Sequence, residues 1–89
     1  MIDWTIKGRT CIISDLDFGK RCDAYVLHLK RHGKTLDGIY GYDGNLCVHS
    51  RNNRRVHIWY AERKINDTQV EEFINKVNSW YEKIYAPVV

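Results

Sequence analysis

The chain has 89 residues, 44% of them apolar, with three Trp, six Tyr and two Phe, one Pro and a formal net charge of +3. That is enough apolar material for one small core, and it excludes disorder on compositional grounds. No window approaches the ~18 apolar residues of a membrane span, and the start "MIDWTIKGR" lacks the basic-then-apolar pattern of a secretory signal.

The first element predicted is a short hairpin in "IDWTIKGRTCII", turning about Lys7-Gly8, with Ile2, Trp4, Cys11 and Ile13 on one side. The segment 14–32, "SDLDFGKRCDAYVLHLKRH", can be read as a strand in which Tyr25, Leu27 and Leu29 alternate. The helical reading puts Phe18, Cys22, Tyr25, Val26 and Leu29 on one face. Ser14 and Asp17 suit a capping box, Ile13 and Phe18 a hydrophobic staple, and Gly33 the residue past the end. Several independent signals agree, so the prediction is a helix.

A three-strand meander follows. Asp43-Gly44 in "YGYDGNL" predicts a two-residue hairpin turn. The next turn, around Asn52-Asn53, decides which residues face the core. A two-residue loop pairs His49 with Val56 and mixes polar with apolar residues on both faces. An odd loop of three or five pairs His49 with His57 and gathers Ile39, Leu46, Val48, Val56, Ile58 and Tyr60 on one face. Burial favours the segregated register, so the odd loop is predicted.

The last element is a helix over about 66–85. Its stripe is Val70, Phe73, Ile74, Val77, Trp80, Tyr81 and Ile84, with Asn66 and Gln69 as a capping box and Ile65 with Val70 as a staple. Pro87 is expected to stop it. The order β-β-α-β-β-β-α predicts an α+β fold: one domain over residues 1–89, a small antiparallel sheet and two helices packed on one face. Its α-β-β-β-α portion, about residues 14–85, is similar in topology to the double-stranded-RNA-binding domain. Those domains bind RNA partly through basic residues opening the second helix. Here that position reads "NDTQVEE", so the resemblance carries over no residue.

Three odd, widely spaced cysteines (Cys11, Cys22, Cys47) predict buried reduced thiols, and hence a cytoplasmic setting. Residues 49–64, "HSRNNRRVHIWYAERK", carry five Lys/Arg against one Glu, whereas residues 65–89 carry two against four acids. The predicted register leaves Tyr40, Tyr42, Cys47, His49, Arg55, His57 and Trp59 on the opposite sheet face, with Arg51 and Arg54 at its loop. Aromatic rings stack on bases and Arg neutralises phosphate, so the face suits single-stranded nucleic acid. A face of this kind also fits a protein partner, either a homodimer or a compact inhibitor of a larger machine such as viruses encode.

No catalysis is expected. His49 opposite His57, with Arg55 near, resembles an RNA-cleaving arrangement, but no carboxylate is placed to orient either ring. Cys47 shares that face with His49 and is expected to be an inert thiol. His28 and His32 have i, i+4 spacing but lie among cations, so no metal or cofactor is expected. No glycine-rich nucleotide loop is present.

Overall fold

The computed structural model describes residues 2–51 and 54–85. The elements are β1 (Asp3–Lys7), β2 (Thr10–Ser14), α1 (Leu16–Arg31), β3 (Thr35–Leu36), β4 (Tyr40–Asp43), β5 (Leu46–Arg51), β6 (Arg55–Tyr60) and α2 (Asp67–Tyr85). All six strands form one antiparallel sheet in the order β1-β2-β6-β5-β4-β3. This is the expected α+β fold with one further strand. After β2, α1 carries the chain to the far edge, and the β3–β6 meander returns until β6 lies beside β2.

Both helices cover one sheet face. The inner positions are Trp4, Ile6, Cys11, Ile13, Leu46, Val48, Val56, Ile58 and Tyr60, brought into line by the pairs Ile6↔Cys11, Cys11↔Ile58 and Val48↔Ile58. Against them pack Phe18, Cys22, Tyr25 and Leu29 of α1 and Val70, Phe73 and Val77 of α2. Ile13, Val48, Val56, Ile58, Val70 and Val77 are fully buried. Burying each such side chain is worth about 1.5–3 kcal/mol, so this layer supplies the main stabilising term.

Local chemistry explains the boundaries. Asp15, not Ser14, caps α1: its carboxylate accepts from the Phe18 N–H at 2.8 Å. At the other end Gly33 takes φ 70°, and the amides of Gly33 and Lys34 donate back to the Lys30 and Leu29 carbonyls. That is a Schellman ending, which a residue with a Cβ adopts poorly. The α2 box is reciprocal, as expected. The Gln69 N–H donates to Asn66 Oδ1 and the Asn66 N–H to Gln69 Oε1, both at 3.0 Å. Pro87 lies outside the described residues.

Four further expectations are corrected. The first hairpin loop is Gly8-Arg9, because Lys7 pairs with Thr10. The β4–β5 loop is Gly44-Asn45, because Asp43 pairs with Leu46. Ile39 is 57% exposed and precedes β4 instead of joining the inner face. The α2 stripe runs off the core in its last turns, where Trp80 is half-buried and Ile84 is 57% exposed. The helix–helix seam ends there in an aromatic cluster, with Trp80 at 5.2 Å from both Tyr25 and His28.

One carboxylate ties the layers together. Asp43, at the end of β4, accepts from the Tyr25 hydroxyl of α1 at 2.8 Å and pairs with Lys76 Nζ of α2 at 2.7 Å. Burial and this bond push the Tyr25 phenol up, so it stays protonated and donates. On the other side of α1, Asp23 accepts from the Ser50 hydroxyl of β5.

Candidate nucleic-acid interface

The sheet face away from the helices carries no second layer among the described residues. Its composition follows from strand register. Tyr40 lies beside His49, and His49 pairs with His57, His57 with Ile12, and Ile12 with Thr5. A second row pairs Tyr42 with Cys47, Cys47 with Trp59, and Trp59 with Thr10. A third pairs Arg51 with Arg55 and Arg55 with Ser14.

The Arg51↔Arg55 pair leaves three residues in the β5–β6 loop, the odd length expected. Asn52 and Asn53 lie outside the described residues; Arg54 is an exposed turn residue. All eight predicted site residues therefore share this face or its rim.

The rings touch one another. Tyr40 lies edge-to-face on His49 and on Trp59, with centroids 5.1 Å apart in both cases, and His49 to His57 is 6.5 Å. Each of these four side chains is half-buried, so part of every ring remains open to solvent. Cys47 is fully buried on a face that no helix covers, so the rings and side chains around it supply its cover. Its thiol is pushed up by burial and by Asp37, which opposes thiolate formation. Cys11, pushed up to about 11, and Cys22, raised further, are likewise buried and free.

Electrostatics make the face unusual. His49 is held below the usual imidazole range by burial, then by Arg51 and Lys30; His57 by burial, then by His49, Arg51 and Arg55. Neither Arg51 nor Arg55 makes an ion pair among the described residues. Like charges directly opposite on a sheet repel. The Arg51↔Arg55 pair therefore sets two guanidinium groups opposite each other, next to the His49↔His57 pair and without an acid between them.

Sequence reasoning missed three contributors. Lys7 of β1 lies on this face, and Thr10 and Ile12 extend it. Their placement depends on β2 pairing with β6, a contact between residues more than forty positions apart, which no local pattern encodes.

Of the remaining candidates, the His28 and His32 rings lie together at the end of α1, with centroids 4.4 Å apart. The His32 Nδ1–H donates to the His28 carbonyl at 2.8 Å, so it serves the helix end. Among the described residues, no group of three or more His, Cys, Asp or Glu is placed to hold a metal ion. No helix among them is long and apolar enough to cross a membrane. No protein-family model matches the chain, and neither a curated protein nor a solved structure matches it significantly.

Proposed function

We propose that the protein is a non-enzymatic module that binds single-stranded nucleic acid across the open sheet face. One observation carries the reading: the like-charged pair Arg51↔Arg55 lies beside the His49↔His57 pair, which adjoins the contacting rings of Tyr40 and Trp59. A phosphate chain relieves the repulsion within that arginine pair, and its bases have π-faces to set against the rings. Lys7 and Arg54 extend the positive surface at opposite ends. The first two turns of α2, with Asp67, Glu71 and Glu72, are acidic and turn phosphate away.

Engaging about three phosphates through Arg51, Arg54 and Arg55 gives a log–log salt slope of about −2 for a single strand. Affinity should then fall roughly 20-fold between 50 and 200 mM salt. Fluorescence anisotropy with labelled single-stranded RNA and DNA measures this directly. Arg51→Ala with Arg55→Ala should flatten the slope by about 1.4. Binding left unchanged by that double substitution refutes the reading. A dimer in light scattering that Trp59→Ala converts to monomer would assign the face to a second copy instead.

A further inference from the structure

At one end of the sheet the aromatic face runs into a cleft of about 420 Å³, lined by Tyr42, Asn45, Tyr60, Ala61, Glu62 and Arg63. Three segments build it: the β4–β5 turn, the end of β6, and the connection to α2. The Arg63 guanidinium sits 4.1 Å from the centroid of the Tyr60 ring, which orders the connection over β6. Arg9 reaches the Ala61 carbonyl at 3.5 Å from the neighbouring hairpin. Tyr42 belongs both to the cleft and to the outer face, so the two surfaces are continuous.

The hydrogen-bonding character of the lining is specific. The Tyr42 hydroxyl donates to Asn45 Oδ1 at 3.3 Å, so the Asn45 amide offers its NH₂ outward. Arg63 is a donor only, and an ionised Glu62 is an acceptor only, with two oxygens. A ligand complementary to this set carries two adjacent donors on one edge and acceptors on another. Guanine does so, with N1–H and N2–H beside each other and O6 and N7 on the far side. Adenine and cytosine present a single amino donor, and uracil presents one N–H flanked by carbonyls that a carboxylate repels.

We propose that this cleft is a guanine-binding pocket, seating one base of the strand with Glu62 on its Watson–Crick edge and a Tyr42 ring beside it. The pocket rests on the nucleic-acid reading for its role, but its chemistry is separately testable. The probes are GMP, AMP, UMP and inosine monophosphate, which lacks the N2 amino group, titrated into ¹⁵N-labelled protein, with an eight-residue oligothymidylate alongside. GMP should shift the Tyr42, Asn45 and Arg63 amides and bind about tenfold more tightly than AMP or UMP. Inosine monophosphate should fall between them.

Glu62 is exposed, so Glu62→Gln should leave the fold intact, as circular dichroism would verify, and should abolish the preference for GMP. Equal binding of the nucleotides, or a preference that survives Glu62→Gln, overturns the pocket. If oligothymidylate binds while GMP does not, the pocket falls and the sheet-face reading stands. A Glu62-dependent GMP site without oligothymidylate binding has the opposite meaning.

Discussion

Replacing Asp43 by Ala removes a side chain of β4 that bonds to both helices. The Tyr25 side chain it contacts belongs to a residue only 4% exposed. Deprived of its acceptor at 2.8 Å, that hydroxyl keeps its desolvation cost without the bond, a loss of about 1–3 kcal/mol. The Lys76 contact adds little. Its ammonium-bearing side chain is 57% exposed, and a pair of that kind contributes about 0–1 kcal/mol. Asp43→Ala should therefore destabilise by roughly 2–3 kcal/mol, most of it from Tyr25. Urea unfolding followed by circular dichroism measures this as a lower midpoint with an unchanged slope.

Tyr25→Phe deletes the donor together with its need for an acceptor and should cost about 1 kcal/mol. In the Asp43→Ala background the same change should be nearly neutral, giving a coupling of about 1 kcal/mol or more. Strict additivity of the two substitutions, or an Asp43→Ala effect below about 0.5 kcal/mol, refutes the reasoning, because either result means that Tyr25 does not depend on Asp43.

Two further outcomes follow from the packing and the charges. His49 and His57 titrate below 6.5 in the folded protein, so their contribution to stability is fully present above pH 6.5 and is lost as pH falls through their folded values. Phosphate favours the charged rings, so affinity for a single strand should rise over the same interval, by about one log unit per pH unit because the pair titrates in steps. Thermal melts and anisotropy from pH 8 to 5 check both slopes, and His49→Gln with His57→Gln should flatten both. Gly41→Ala places a methyl 3.0 Å from Leu29 Cδ1, against which the strand gains roughly 0.5–1 kcal/mol of lost chain freedom. A net destabilisation of about 1 kcal/mol is expected, smaller in a Leu29→Val background, by the same urea assay.

Both helices were legible because each combines a period with terminal signals, and the meander's inner face, Ile39 apart, because its apolar residues alternate with period two. What was missed had one signal or none. "SDLD" holds two eligible caps, and Asp15 prevails because it lies three residues before the Phe18 amide that needs an acceptor. The strand β3 is two residues long, below the reach of any periodicity. Its signature was the following Asp37-Gly38, with φ of 54° and 72°, which is the Asp-Gly combination that two positive φ values demand. The same dipeptide at Asp43-Gly44 predicts a two-residue turn, but there Asp43 closes the strand while Gly44 and Asn45 make the loop.

That one-residue shift of the turn does not change which side chains of β4 face outward, for a reason specific to antiparallel pairing. Centring a hairpin loop on residues 43 and 44 pairs positions whose numbers sum to 87; the observed Gly41↔Val48 pair sums to 89. Sliding a two-residue loop by one position thus moves every partner by two, and side chains alternate with period two. Tyr40 and Tyr42 stay on the outer face either way, although their neighbours change. The β5–β6 loop had no such tolerance. Changing its length between two and three moves each partner by one and would have turned His57 and Trp59 towards the helices. The face was therefore legible where burial had to choose a parity. The placement of Lys7, of Ile12 and of the cleft beside Glu62 follows from pairings and loop paths that parity does not constrain.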